Sequence, residues 1–249
     1  MAKAALKHKD VSLDDKFTLE SGQAFMSGLQ ALARIAIVQK RRDVAAGLDT
    51  GGFISGYRGS PLGAFDRELS SANRYYKDMD IVFLPGVNED LAATAVWGTQ
   101  QVNLLPGAKK EGVFGIWYGK APGVDRSIDV MRHASANGTA PKGGVLAIVG
   151  DDHGCKSSTL SCQSDHVLYA MQMPTLYPES LAEYVEYGLL GIAMSRFSGC
   201  WTALKVTTAT VETSGTVDLT PEQRDIQMPT DAEFTQPPGG LHIRLNDIP

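Results

Sequence analysis

The sequence predicts an α/β protein whose mostly parallel sheet is covered by helices on both faces. Short apolar segments alternate with amphipathic helical patterns, glycine-rich turns follow several of these segments, and residues 144–149 form a continuous apolar run. Such runs are typical of parallel strands buried on both faces, and the crossovers between parallel strands are usually helices. Side chains that do chemistry are therefore expected at the carboxyl ends of the strands.

The first predicted element is a helix that starts at Ser21 as its N-cap, carries Phe25 on its apolar face and stops before Gly47. The remaining elements, in order, are a strand at 51–57, a helix at 63–77, a strand at 81–84, a helix at 89–104, a strand at 112–118, a helix at 122–137, a strand at 144–149, a helix at 179–197 and a strand at 201–207.

Composition narrows the class of protein. The 249 residues are 43% apolar, which is enough for a large core, and the net charge of -5 gives no overall positive field that would attract nucleic acid. Cys155, Cys162 and Cys200 have the spacing of neither a disulfide framework nor a metal or iron–sulfur site. The chain has no signal-peptide pattern and no apolar run of about 18 residues, so we expect a cytoplasmic protein without membrane contact.

Three segments are expected. Residues 1–16 are a flexible arm, residues 17–212 form the α/β domain, and residues 213–249 are a Pro-rich linker toward a missing domain. The linker is predicted because five of the 12 prolines fall in this stretch, with few periodic apolar positions. We therefore expect a fragment or a separated subunit of a larger protein.

The first glycine-rich turn, Gly56-Tyr-Arg-Gly-Ser-Pro-Leu-Gly63, lacks the dinucleotide-binding spacing. A purely structural turn explains it about as well as a ligand site does. Arg58 favours the ligand site, because a guanidinium at a strand end can clamp a carboxylate. Neither a phosphate-binding loop nor the Gly-x-Ser-x-Gly elbow of a serine hydrolase is present in the sequence.

Two further places carry acidic groups at predicted strand ends. Glu89 follows Asn88, a good N-cap, so its carboxylate could simply complement the helix dipole, although the small residues that follow would let a flat ligand approach. Lys120, which precedes acidic residues of the next helix, is expected to lie in a solvated, salt-bridged helix start. A second acidic group could bind a metal, but local capping explains it better. Its members are Asp151, Asp152, His153, Asp165 and His166.

Three motifs in this order resemble a known family: Gly-Tyr-Arg-Gly-Ser-Pro, Val-Asn-Glu-Asp-Leu-Ala-Ala-Thr-Ala, and Gly-Asp-Asp-His followed by Lys-Ser-Ser and Gln-Ser-Asp-His. The sequence is similar to the N-terminal pyrimidine-binding domain of thiamine-diphosphate-dependent 2-oxoacid:ferredoxin oxidoreductases, and most closely to the long, fused indolepyruvate ferredoxin oxidoreductases. The resemblance runs from about Phe17 through the Pro-Pro-Gly-Gly-Leu segment at 237–241. Shorter members resemble Gly-Tyr-Pro-Gly-Thr-Pro-Ser at the first motif, where this chain differs at three positions.

The resemblance implies oxidative decarboxylation of an aryl pyruvate to an acyl-CoA. It implies that Glu89 is catalytic through a hydrogen bond to pyrimidine N1′, and that Arg58 and Ser60 bind the substrate. The implied cofactor contacts are Gly59, Pro61, Asn88 and Glu89. Mg²⁺ and the iron–sulfur clusters are expected on other domains, because neither a Gly-Asp-Gly…Asn-Asn pattern nor a four-cysteine site is found in this sequence.

The expected partners are a diphosphate-binding domain, an iron–sulfur module, ferredoxin, coenzyme A and a dimer mate, and the chain alone is expected to be inactive. Two other classes stay open on the sequence. The chain could be a non-catalytic binding or regulatory domain of the same fold. It could also be a metal-dependent hydrolase that uses Asp151, Asp152, His153 and His166.

Overall fold

A computed structural model describes residues 11–156 and 158–229 of the chain. Its strands are β1 (Gln23–Ser27), β2 (Thr50–Gly56), β3 (Ile81–Phe83), β4 (Gly112–Lys120), β5 (Val145–Asp151), β6 (Thr175–Leu176), β7 (Thr202–Thr207) and β8 (Ser214–Asp218). Six of them form one sheet in the order β3-β2-β4-β5-β7-β6, and every neighbouring pair in it is parallel. The predicted α/β class is confirmed.

Helices cover both faces of this sheet. They are α1 (Asp15–Thr18), α2 (Gly28–Ala45), α3 (Phe65–Tyr76), α4 (Glu89–Thr99), α5 (Ala121–Asn137), α6 (Asp165–Ala170), α7 (Tyr184–Ser198) and α8 (Thr208–Val211). Short 3-10 turns occupy Val102–Leu104, Leu181–Glu183 and Pro221–Gln223. The apolar side chains of α2, α3 and α7 pack on one face, and those of α4, α5 and α6 pack on the other.

The centre of the sheet explains its apolar sequence. All seven residues of β5 are buried, because the strand has neighbours on both sides and helices above and below. Removing such side chains from water contributes about 1.5–3 kcal/mol for each large aliphatic group. The continuous run at 144–149 therefore lies where the sequence predicted it.

The N-terminal helix begins later than predicted. Residues 23–27 form β1 instead, and α2 starts at Gly28 with Ser27 as its N-cap. Ser27 and Gln30 form a reciprocal capping box, in which each side chain accepts a hydrogen bond from the other residue's backbone N–H. Phe25, expected on the apolar helix face, is exposed on β1.

Strand β8 pairs antiparallel with β1, so residues 214–218, which we expected to open the linker, pack on the domain. Beyond them, Glu222 is buried and ion-paired with Arg34 of α2. At the other end of the described chain, Phe17 of α1 is buried in the core. Residues 1–10 of the expected arm and 230–249 of the expected linker lie outside the described residues.

Smaller differences concern single elements. Helix α4 ends at Thr99 rather than near 104, α7 begins at Tyr184 after a 3-10 turn, and the short α6 and β6 were not predicted. Within residues 11–156 and 158–229, no helix combines the length and apolarity that a membrane crossing requires.

Candidate functional site

The order in which strands are added to the sheet reverses between β2 and β4. After β2 the chain adds β3 on one side, and it then returns through α4 to place β4 on the other side. In open α/β sheets, ligands bind in the crevice beyond the carboxyl ends of the strands at such a switch point. The turns after β2, β3 and β4 meet here, and they carry most of the predicted site residues.

Backbone hydrogen bonds hold these turns together. Gly86 N–H donates to Gly56 O at 2.9 Å, and Tyr57 N–H donates to Tyr118 O at 3.0 Å. A Cβ on Gly56 would overlap Tyr118 O, and a Cβ on Gly86 would lie 2.7 Å from the Ala92 Cβ. The two glycines thus allow an approach of the backbones that other residues would prevent.

Glu89 is the first residue of α4 and only 8% exposed. Its carbonyl accepts a hydrogen bond of 3.0 Å from the Trp117 indole N–H, which fixes the first turn of the helix against β4. Its side chain lies on the backbone of α5, since a Cβ on Gly123 would lie 2.9 Å from Glu89 Oε1. Among the described residues, none donates a hydrogen bond to this carboxyl.

Asn88 acts as the N-cap of α4, and its Oδ1 accepts a 2.8 Å hydrogen bond from Leu91 N–H. This bond occupies the side-chain oxygen, so the remaining polar atom free for a ligand is the amide nitrogen. The acid that follows in the same turn, Asp90, is more exposed than Glu89 and can complement the helix dipole by itself.

The turn after β2 is anchored by Pro61, which is buried and joined to Ser60 by a cis peptide bond. A Cβ on Gly150 of β5 would lie 2.8 Å from Pro61 Cδ, so this proline packs directly on the sheet. Ser60 is half-buried. The Arg58 side chain is exposed, and it forms no ion pair or hydrogen bond with the residues described.

Lys120 lies at the same edge of the sheet, and it was not among the predicted site residues. It ends β4, and its aliphatic chain crosses Gly59, where a Cβ would lie 2.6 Å from Lys120 Cδ. Within the described part of the chain its ammonium has no acidic partner, in contrast to the salt-bridged helix start we expected. The signal was a lysine at the carboxyl end of a buried strand, but its contact with Gly59 depends on the pairing of β2 with β4.

Tyr118 lies beneath the site and is fully buried. Burial raises the pKa of its hydroxyl far above the usual value, so the group stays protonated and donates to Asp66 Oδ1 at 2.7 Å. This bond ties α3 to the end of β4. The ring also stacks edge-on against Phe65 at a centroid distance of 5.0 Å.

The second acidic group is held by protein contacts. Asp151, at the end of β5, accepts hydrogen bonds from Ser164 N–H at 3.0 Å and Ser164 Oγ at 2.9 Å. The buried Lys205 Nζ lies 3.3 Å from Asp151 and 2.6 Å from Asp165. Burial lowers the pKa of Lys205, but the hydrogen bond to Asp165 and the two negative charges outweigh it and leave that pKa raised.

The two histidines of this group are exposed, and Asp152 Oδ1 accepts a hydrogen bond from Lys156 N–H at 3.1 Å. Across the described ranges, no three Asp, Glu, His or Cys side chains are grouped in a way that could hold a metal ion. The contacts at Asp151 and Asp152 support the local capping role that the sequence favoured over a metal site.

Comparisons with known proteins identify the fold. No family model matches the sequence, and no curated protein matches it. Among solved structures, a 2-oxoglutarate:ferredoxin oxidoreductase from Magnetococcus marinus, with 2-oxoglutarate, coenzyme A and succinyl-CoA bound, is similar with a TM-score of 0.64. The two are 14% identical, and the match covers 87% of this chain but 35% of the other. At this identity the likeness shows a common fold.

Proposed function

We propose that this chain is part of a thiamine-diphosphate-dependent 2-oxoacid:ferredoxin oxidoreductase, and that it binds the aminopyrimidine ring of the cofactor at the switch point between β2 and β4. The observation that carries the proposal is Glu89, a carboxyl that is almost fully buried at the first turn of α4 without a hydrogen-bond donor among the described residues. A carboxyl in this position keeps both oxygens available to accept a hydrogen bond from a ligand that offers a nitrogen.

The surroundings of Glu89 fit a flat heteroaromatic ring. Gly123 lies against the carboxyl, and having no side chain it leaves one face of the carboxyl uncovered by larger groups of α5. The proposed role of Glu89 is to share a proton with ring N1′, while Asn88, Gly59 and Pro61 shape the pocket. When bound, thiamine diphosphate supplies an acidic thiazolium carbon and an electron sink for decarboxylation of a 2-oxoacid.

Binding of the substrate carboxylate needs a cation at the same edge of the sheet. We assign this role to Arg58, whose guanidinium has no protein partner among the described residues, and we add Lys120 as a second cation beside Gly59. Ser60 is proposed as the hydrogen-bond donor to the keto oxygen. An aryl pyruvate such as indolepyruvate is the proposed substrate, with an acyl-CoA as product.

An exposed apolar patch beside the site supports a covering domain. Its side chains, each more than half exposed, are Val82, Leu84, Val87 and Leu91. Apolar clusters of this kind commonly mark a surface that another protein or domain buries. In the proposed enzyme, the diphosphate-binding domain with its Mg²⁺ covers this edge, and an iron–sulfur module passes electrons to ferredoxin. A dimer, a cytoplasmic location and inactivity of the isolated chain belong to the same proposal.

The test compares Glu89→Gln with Asp90→Asn in the assembled enzyme, which contains this chain and the remaining domains. Both changes remove one carboxylate from the same helical turn, so they have similar effects on the helix dipole. We expect Glu89→Gln to slow exchange of the thiamine C2 proton at least about 100-fold, and Asp90→Asn to change it less than about twofold. Full exchange in Glu89→Gln or Glu89→Ala would reject the role of Glu89. An assembled enzyme that retains no thiamine diphosphate would point to a non-catalytic module instead.

A further inference from the structure

A cleft of about 430 Å³ lies between the turn after β2 and the turn that joins α8 to β8. Ser60 and Gly63 line one wall, Glu212 and Thr213 line the other, and Leu29 of α2 lies between them. Its volume falls within the range of small-molecule pockets, roughly 300–1,000 Å³. The cleft can therefore accept a group as large as an aromatic ring.

Ser60 connects this cleft to the candidate site. The buried Pro61 holds the turn on β5, so Ser60 has a fixed position between the switch point and the cleft. The wall is open at Gly63, where a Cβ would lie 3.9 Å from the nearest backbone atoms. A ligand held at Ser60 can thus extend into the cleft without displacing the backbone.

Glu212 sets the charge of the cleft, because it is the one charged side chain among the lining residues described. It is 42% exposed and forms an ion pair with Lys156, which belongs to the loop after β5 and does not line the cleft. Glu212 belongs to the wall of the cleft and Lys156 does not, so the charge that the wall itself contributes is negative. Close like charges are a common means of rejecting a wrong ligand.

We propose that this cleft receives the side chain of the 2-oxoacid, and that Glu212 selects against side chains that end in a carboxylate. The inference rests on the proposed function, since it takes Ser60 as the contact to the keto group. It makes Glu212 a specificity-determining residue, with Lys156 as the residue that moderates its charge. The favoured substrates are uncharged and aromatic, and 2-oxoglutarate is disfavoured.

The experiment measures kcat/KM of the assembled enzyme for indolepyruvate and for 2-oxoglutarate, and it reports their ratio. We expect Glu212→Gln to shift the ratio toward 2-oxoglutarate by about tenfold. Lys156→Met leaves the carboxylate without its counter-ion and shifts the ratio the opposite way, by about threefold. Glu179→Gln, which removes an exposed carboxylate away from the cleft, serves as the matched control and leaves the ratio unchanged.

Gly63→Leu gives an independent test of the cleft, because the larger side chain occupies its open wall. We expect this variant to lower kcat/KM for indolepyruvate at least about tenfold more than for pyruvate, whose methyl group does not reach the cleft. Unchanged ratios in Glu212→Gln, Lys156→Met and Gly63→Leu, in an enzyme that still oxidises 2-oxoacids, would overturn this inference alone. An enzyme that binds no thiamine diphosphate and oxidises no 2-oxoacid would overturn the proposed function with it.

Discussion

The ion pair between Arg34 and Glu222 gives the sharpest test of how the end of the described chain is attached. Arg34 is fully buried, and its Nε donates to Glu222 Oε2 at 2.9 Å while Nη2 contacts the other carboxylate oxygen. The guanidinium also donates to the carbonyls of Lys16 and Leu19, each at 2.7 Å. One side chain of α2 therefore binds segments from both ends of the domain.

We expect Glu222→Ala to lower the free energy of unfolding by about 3–5 kcal/mol, because it leaves a buried guanidinium without its counter-ion. The matched control is Arg224→Ala, which removes the exposed ion pair of 3.2 Å with Glu186, and its loss should stay below about 1 kcal/mol. The double variant Arg34→Met/Glu222→Leu removes both buried charges, and it should recover about half of the loss. Full recovery is not expected, since the two carbonyls lose their donor.

Urea denaturation followed by circular dichroism measures these differences without added salt. With a slope of roughly 1–3 kcal/mol per molar urea, Glu222→Ala should lower the midpoint by more than about 1 M. A loss for Glu222→Ala that equals the loss for Arg224→Ala would refute the reasoning, because the segment after β8 would then contribute no more than a surface contact.

Two further predictions concern the site and the acidic group beside it. Gly123→Ala introduces a Cβ that would lie 2.6 Å from Glu89 Cγ and so displaces the carboxyl. In the proposed enzyme, exchange of the thiamine C2 proton should then fall at least about tenfold, while the melting temperature of the protein is kept. Gly98→Ala, a helical glycine with open space around it, is its control and should leave exchange intact. Lys205→Met should destabilise the protein by about 3–5 kcal/mol, since it strips a buried carboxylate of its cation, whereas Asp165→Asn should cost clearly less. The hydrogen bond from Lys205 lowers the pKa of Asp165. The ionised carboxylate therefore stabilises the folded state fully above a pH of about 4, and this stabilisation is lost as the pH falls through the lowered pKa. The melting temperature should therefore fall less steeply between pH 7 and pH 3 for Asp165→Asn than for the natural chain. Parallel plots of melting temperature against pH would contradict this.

Much of the fold follows from local patterns. The continuous apolar run of β5 indicates a strand of a buried parallel sheet, because a strand covered on both faces does not alternate apolar with polar residues. The glycines after β2 mark the turn at the end of another strand. The β1–β8 pair escaped prediction because its partners are almost 200 residues apart and each is five residues long. The signal that was available is Ser27 followed by Gln30, the reciprocal cap that marks the true start of α2.

The position of the candidate site was likewise predictable only where it depends on local sequence. Glu89 and the turn around Ser60 can be located because each lies in the connection from a strand to the following helix, so local sequence fixes the edge on which they lie. Lys120 could not be assigned, since its contact with Gly59 exists only once β2 and β4 are neighbours. Glu212 comes from a distant part of the chain and meets Ser60 only across the cleft.

The antiparallel pair of β1 and β8 constrains the order of events during synthesis. During synthesis β1 leaves the ribosome before β8, and its backbone hydrogen-bonding groups stay unpaired until residue 218 has emerged. The parallel sheet can assemble in the meantime, because every one of its strands precedes β8 in the chain. Pairing of β1 with β8 is thus a late step in the folding of this domain, and nascent chains that pause before residue 214 present an unpaired strand to chaperones or to one another.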